Sequence, residues 1–184
     1  MRVFVAIPLP VHIRDHLASA LAMVSPPQHA TRNPWSPTMN WHVTLGFFGE
    51  KPEGSVDAMV EHVRGVARRT SAFDIGLAGA GIFRHDVCWV GVDDPSGSLE
   101  PLADRVRQGY AIRDQHSHHR FHLTVSRAGR QAGLADVMAA LAVYRGPMWT
   151  VDSIGLFRSD LGEGVGGHPL YTALADVPLL GEDD

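Results

Sequence analysis

Short alternating apolar runs and longer helix-spaced runs succeed one another along the chain in a fixed order. A strand is predicted from Val3 to Ile7, closed by Pro8 and Pro10. An amphipathic helix follows, with Ile13, Leu17, Ala20, Leu21 and Val24 on its core face. After a Pro-rich loop, Pro26 to Pro37, comes a second strand within Trp41 to Phe48. Pro52 and Gly54 then introduce a helix whose Val56, Met59, Val60, Val63 and Ala67 keep the i, i+3, i+4, i+7 spacing. A third strand through Phe73, Ile75 and Leu77 runs into Gly79, Ala80, Gly81 and Phe83.

From Val87 the order repeats. Val87 to Val92 reads as a strand, and Leu99, Leu102, Ala103, Val106 and Tyr110 mark a helix that tolerates Pro101 in its first turn. A polar loop, Gln115 to Arg120, leads to a strand around His122. A helix follows with Leu134, Val137, Met138 and Leu141 on one face, then a strand from Val151 to Phe157 and a final strand from Leu170 to Leu174. Each half therefore reads strand, helix, strand, helix, strand, with the final strand at Leu170 to Leu174 having no counterpart in the first half, and the halves agree in spacing. Val3 precedes His42 by 39 positions and Val87 precedes His122 by 35; Ile75 and Ile154 follow those histidines by 33 and 32. Duplication of one lobe explains this self-similarity. The expected fold is α+β, a single bilobal domain over residues 1–184 built from pseudo-twofold repeats of about 1–84 and 85–178. Central antiparallel or mixed sheets should face a cleft, with helices outside.

The middle strand of each half carries the same tripeptide pattern, His42-Val43-Thr44 and His122-Leu123-Thr124. Alternate side chains of a strand share a face, so each histidine points with its threonine while Val43 or Leu123 turns to the other side. In a duplicated lobe the two pairs converge on one cleft. An unperturbed imidazole titrates near 6.5, so one histidine can give a proton and the other take one near neutral pH. Threonine hydroxyls on the same face can donate to the non-bridging oxygens of a phosphate. No metal and no cofactor is required.

Composition narrows the setting. A net charge of −4 and a pI near 6.2 argue against a protein that coats nucleic acid through many basic contacts, and leave room for a local basic pocket. The single cysteine, Cys88, excludes an intrachain disulfide and sits in an apolar run that reads as core. No stretch approaches a membrane span, and the apolar start is too short for a signal peptide, so a cytoplasmic protein that does not engage membranes is expected, with a monomer the simplest state. Arg127, near the end of the second His-x-Thr strand, is a candidate bidentate phosphate ligand. Arg158 and Arg120 are further basic candidates, and Phe48 and Trp35 are candidates for base stacking, with core packing as the competing reading. His116, His118 and His119 lack a partner set of metal-site spacing and read as loop. The glycine-rich Gly162 to Gly167 reads as a turn, and Asp176 to Asp184 as a tail.

The tetrads His42-Val43-Thr44-Leu45 and His122-Leu123-Thr124-Val125 resemble the paired signature of the two-histidine phosphoesterase superfamily. More closely, the chain resembles the bacterial and archaeal RNA 2′,3′-cyclic phosphodiesterases, also called 2′-5′ RNA ligases. The likeness runs through Phe4 to Ile7, Asn40 to Gly49, Gly81 to Phe83, Cys88 to Val92, His122 to Arg127, Leu156 to Ser159 and Tyr171. It leaves out Arg32 to Trp35 and the loop at His116 to His119. The resemblance implies His42 as proton donor to the leaving oxygen and His122 as proton acceptor, with Thr44, Thr124 and Arg127 around the phosphate. Its implied partners are RNA ends bearing a 2′,3′-cyclic phosphate, on tRNA-like fragments or oligonucleotides, opened to a 2′-phosphate or run backwards to a 2′-5′ bond. Small cyclic nucleotides or 2′-5′-linked oligonucleotides are the alternative substrates, and a non-catalytic RNA-end binding module is the alternative class.

Overall fold

A computed structural model of the chain describes residues 1–24, 34–83, 86–110, 120–127 and 134–181. In chain order the strands and helices are β1 (Arg2–Pro8), α1 (Val11–Val24), β2 (His42–Glu50), α2 (Val56–Arg68), β3 (Phe73–Ile82), β4 (Cys88–Asp93), α3 (Leu99–Arg107), β5 (His122–Ser126), α4 (Ala135–Ala140), β6 (Arg145–Val151), β7 (Ser153–Asp160) and β8 (Leu170–Pro178). The α+β class follows, and the expected sheets are joined into one eight-stranded sheet of order β6-β3-β4-β5-β2-β1-β7-β8. Its halves meet where β5 and β2 pair antiparallel at Leu123 opposite Val43. These are the middle residues of the two His-x-Thr motifs.

One face of the sheet is the core. Val3, Val5, Ile7, Val43, Leu45, Leu123 and Val125 pack there with Leu17 of α1, Met59 and Val63 of α2, Leu102 and Val106 of α3, and Val137 of α4. Burying each such aliphatic side chain stabilises the fold by about 1.5–3 kcal/mol before entropy is counted. The polar residues of the motifs are left on the opposite face. Cys88 is fully buried in this core, and burial, with Asp86 nearby, pushes its thiol up to about 11, which makes it inert. Among the described residues no helix is long and apolar enough to cross a membrane.

The two halves match residue by residue. In the first, Val5, Ala6, Ile7 and Pro8 lie opposite Gly46, Thr44, Val43 and His42. In the second, Cys88, Trp89, Val90 and Gly91 lie opposite Ser126, Thr124, Leu123 and His122. The two ladders share a β-bulge at the same place, Leu45 in β2 and Val125 in β5, and β2 skips a second residue, Phe48, further along. The outer neighbours match too, with Gly155 opposite Ala6 and Gly81 opposite Trp89, which aligns Gly155-Leu156-Phe157 with Gly81-Ile82-Phe83. Neither half-sheet is a contiguous stretch of chain, however. β3 joins β4 and β7 joins β1, so each repeat lends its third strand to the other half.

Three elements depart from the sequence reading. The predicted strand from Val151 to Phe157 is two strands, because β6 precedes it and Asp152 separates the two. Gly146 and Pro147 masked β6, yet as a sheet-edge strand it can accommodate a proline. The last strand runs to Pro178, and the amides of Leu179, Leu180 and Gly181 donate to Asp152, Ala67 and Thr70, so this part of the supposed tail is fastened to the core. The helix predicted to reach Tyr110 ends at Arg107.

The aligned glycines are places where a side chain has no room. A Cβ on Gly155 would overlap the ring of Phe157. Gly155→Ala is expected to cost about 1–3 kcal/mol through forced repacking, read as a lower urea midpoint. Gly54→Ala, which meets nothing within 4 Å, should leave the midpoint nearly unchanged.

Candidate active site

The adjacency of β2 and β5 brings the two motifs to one pocket. It is lined by Ser36, Asn40, His42, Thr44, Phe47, His122, Thr124, Arg127, His168, Pro169 and Tyr171. Five of these are residues singled out from the sequence: His42, Thr44, His122, Thr124 and Arg127.

Both histidines are held in the same way. Nδ1 of His42 lies 2.7 Å from the carbonyl oxygen of Asn40, and Nδ1 of His122 lies 2.8 Å from that of Arg120. A carbonyl can only accept, so each Nδ1 carries the proton and donates it to the residue two positions earlier. The tautomer is thereby fixed, and Nε2 is the ring atom presented to the pocket in both cases. Asn40 does a second job, because its side-chain amide donates to the carbonyl of Pro169 at 2.8 Å and ties the segment carrying His168 and Tyr171 to the base of His42.

Under His42 lies an aromatic cluster. Phe4 sits 4.9 Å from the imidazole and contacts Phe47, Phe157 and Tyr171 at 5.5, 5.4 and 5.0 Å. Tyr171 meets His42 edge-on at 5.3 Å. His122 is flanked by Phe83, again edge-on, at 4.9 Å. These walls remove water from the rings, and burial lowers the pKa of both histidines, His42 to about 4. For His42 the Asn40 carbonyl opposes the shift, while Arg127 and His122 add to it; for His122 the Arg120 carbonyl opposes and Arg127 adds. Burial also raises the phenol of Tyr171, against the pull of Arg127 and Arg2, so it stays a neutral donor. At neutral pH His42 and His122 are thus neutral imidazoles, set among the hydroxyls of Thr44 and Thr124, the phenol of Tyr171 and the Arg127 cation, an arrangement that accepts an anion.

The bulges explain which residues face this pocket. Unbroken alternation from His42 would put Phe48 on the pocket face and Phe47 in the core. The extra residue Leu45 reverses the phase, so Phe47 lines the pocket and Phe48 is 1% exposed, stacked on Tyr110 at 4.9 Å. Phe48 is therefore a core residue and not a stacking surface. The bulge at Val125 does the same in β5: Ser126 is buried and Arg127 turns to the pocket. Phe47 and Arg127 thus occupy equivalent positions, and there the symmetric site becomes asymmetric.

Other candidates fall elsewhere. Trp35 packs against the core, and its neighbour Ser36 lines the pocket instead. Arg158 lies opposite Val3, with the core-facing residues of β1, and its Nε donates to Asp160 at 2.8 Å. Arg120 contributes its carbonyl to His122, while its guanidinium lies over Trp89 at 4.6 Å from the ring centroid. His116, His118, His119 and Arg32 lie outside the described residues. Sequence reading did not place Asn40, Phe47, His168 or Tyr171 in the site. The position of Asn40, two before His42, mirrors that of Arg120 before His122 and was the available signal for it.

The sheet pairs the two His-x-Thr strands at its centre, and their histidines and threonines line one pocket with Arg127. The model of the 2′-5′ RNA ligase superfamily matches residues 15–163, and the chain belongs to that family. It is 27% identical over 183 residues to the RNA 2′,3′-cyclic phosphodiesterase of Methanothermobacter thermautotrophicus, covering 94% of this chain and 95% of that one. It is 29% identical over 194 residues to the enzyme of the same name from Thermus thermophilus, covering 99% and 92%. A relative of that name from Geobacillus stearothermophilus is 26% identical over 82% of this chain, which spans about half (49%) of that longer protein. Among solved structures, E. coli LigT complexed with 3′-AMP superposes with a TM-score of 0.74 at 25% identity, covering 97% of both chains.

The histidine environment sets a pH expectation. The unfolded chain protonates a histidine near 6.5 and folded His42 does so at about 4, so between these values the unfolded state binds more protons. The contribution of neutral His42 to stability is complete above pH 6.5 and is lost as pH falls towards 4. Urea unfolding at pH 7 and 4.5 should show a smaller acid loss for His42→Gln than for wild type, and equal losses would contradict the assignment. In imidazole NMR titrations, Arg127→Met is expected to move both pocket histidines upward.

Proposed function

We propose that this chain is an RNA 2′,3′-cyclic phosphodiesterase, with His42 as general acid and His122 as general base. The observation that carries the reading is the matched pair of imidazoles, each pinned through Nδ1 to the carbonyl two residues earlier and each turning Nε2 to a pocket that also holds Thr44, Thr124 and Arg127. The names and near-complete coverage of the archaeal and Thermus relatives point the same way.

In the proposed reaction the cyclic phosphate enters as an anion, drawn by Arg127. Its charge offsets the part that Arg127 adds to burial in lowering the histidines, and His42 takes up a proton as substrate binds. Water attacks phosphorus in line with O3′ and gives its proton to Nε2 of His122. The P–O3′ bond breaks, and Nε2–H of His42 protonates the departing O3′. The product is a 2′-phosphate end, with His42 neutral and His122 protonated; exchange with solvent restores the start. Thr44 and Thr124 hydroxyls and the Arg127 guanidinium hold the non-bridging oxygens as charge gathers on them. Proton transfers of this kind contribute about 10²–10⁴-fold each. Because acid and base exchange roles in reverse, a 5′-hydroxyl RNA end in place of water would make a 2′-5′ bond at the same site.

The test is hydrolysis of an RNA oligonucleotide ending in a 2′,3′-cyclic phosphate, in excess chelator. Wild type should yield a 2′-phosphate end, and His42→Ala and His122→Ala should each lose about 100-fold or more in kcat. Full activity in either variant removes that histidine from its role, and a 3′-phosphate product overturns the assignment of the leaving oxygen. Faster turnover of a 2′,3′-cyclic mononucleotide than of the oligonucleotide would shift the reading to small cyclic nucleotides. Since kcat/KM reads the free enzyme and both histidine pKa values are lowered, its pH optimum is expected below 6.5 with a decline on the alkaline side.

A further inference from the structure

We propose that Arg107, on α3 and outside the pocket, is a positioning residue for the site. Its Nε–H holds the bulge at Leu45 in shape and so keeps Thr44 and Phe47 together on the face of His42. The inference rests on the phosphodiesterase reading for its kinetic consequence, but the geometry it describes can be read without turnover.

A bulge leaves its extra residue outside the ladder, so the carbonyl of that residue needs a partner from elsewhere once it is buried. Leu45 is fully buried, and Nε of Arg107 donates to its carbonyl at 3.0 Å. The matching bulge in β5 is treated alike: the carbonyl of Val125 accepts the backbone N–H of Ser36 at 2.8 Å. The two matching phase reversals, at Leu45 and Val125, therefore each have a donor from outside the sheet, and only at Leu45 is that donor a side chain. The fit around it is close. Arg107 is 6% exposed, and its Cγ and the Cγ1 of Val106 lie 3.1 and 3.2 Å from where a Cβ on Gly46 would stand. Without the donor, the buried carbonyl favours a strand that relaxes towards plain alternation, which would swap Phe47 and Phe48 between pocket and core.

Arg107 also makes ion pairs through Nη1 with Glu100 at 3.4 Å and Asp104 at 3.2 Å, so a purely structural role as a charge anchor for α3 must be separated from the donor role. Two substitutions do this. Glutamine carries its amide nitrogen the same number of bonds from Cα as arginine carries Nε, so Arg107→Gln keeps the donor and loses the charge. Lysine has a methylene at that point, so Arg107→Lys keeps the charge and loses the donor. The donor role predicts that Arg107→Gln retains kcat within about threefold. Arg107→Lys should lose about 100-fold in kcat, the scale of a misplacement of about 1 Å, with KM changed less than about threefold. The opposite order, or near wild-type kcat in both, overturns the proposal.

Melting temperatures are taken for each variant. If Arg107→Lys does not fold, Gly46→Ala replaces it, since the added Cβ presses on Arg107 without removing it. Its kcat should fall about tenfold at unchanged KM, and wild-type kcat there overturns the proposal. The ring contact of Phe4 with Phe47, 5.5 Å between centroids, gives a readout that needs no activity. Its NOE should persist in Arg107→Gln and vanish in Arg107→Lys (or in Gly46→Ala where that variant stands in). A wild type that fails to hydrolyse the oligonucleotide, with the NOE pattern as expected, removes the phosphodiesterase reading and leaves the positioning role standing. An NOE that survives loss of the donor removes the positioning role.

Discussion

Val43 and Leu123 are opposite one another at the seam of the sheet, both fully buried, each between a histidine and a threonine. Their apolar side chains belong to the core on the helix side, and the strand period then sends the flanking polar residues to the other side without further instruction. Because the seam pairs the middle residues of both motifs, it sets the two histidines and two threonines against each other in one step. The pocket is thus a by-product of where the core must lie: any shift of register that moved Val43 or Leu123 out of the core would carry a histidine and a threonine into it, at the cost of burying polar groups.

The motif was legible in the sequence because it depends on nothing but alternation over three residues. What lies beyond Thr44 and Thr124 was not, because a bulge resets the phase and leaves no reliable mark in composition. Phe48 and Phe47 are adjacent aromatics, and only the position of Leu45 outside the ladder decides which one the pocket receives. Arg127 was picked out for its charge, and the bulge at Val125 supplies the geometric reason it faces the pocket. His168 and Tyr171 come from the far end of the chain, and their placement depends on β8 joining β7 and on the Asn40 clamp to Pro169, both long-range contacts. The order of strands and helices is legible as far as α4, and β6 is the strand that it omits. The exchange of third strands is not legible, since strand order within a sheet is decided by pairings between segments far apart in sequence.

The surroundings of the two imidazoles differ more than their own hydrogen bonds do. The two imidazoles share a tautomer and a type of hydrogen bond, yet His42 rests on the ring of Phe4 and beside Tyr171, whereas His122 has Phe83 at its edge. The larger drop therefore falls on the more enclosed ring. At the equivalent bulge positions an aromatic stands beside one motif and a cation beside the other. Both strands present the same hydrogen-bonded imidazole, and the neighbours differ: Phe4, Tyr171 and Phe47 on the side of His42, Phe83 and Arg127 on the side of His122.

The exchanged third strands also bear on how the chain comes to be made. β1 pairs with β2 soon after both are synthesised, but its other edge waits for β7, with Arg2 finally lying opposite Ser159. A nascent chain released from the ribosome in order would hold the edge of β1, carrying Val3 and Val5, unpaired until nearly all of the sheet has emerged. The same pairing gives the fold many contacts between distant residues, and folding that must close such long loops is slow. Assembly of the sheet is then expected to be late and concerted, and a chain stalled before residue 160 would expose a sticky strand edge while still lacking Tyr171 beside His42.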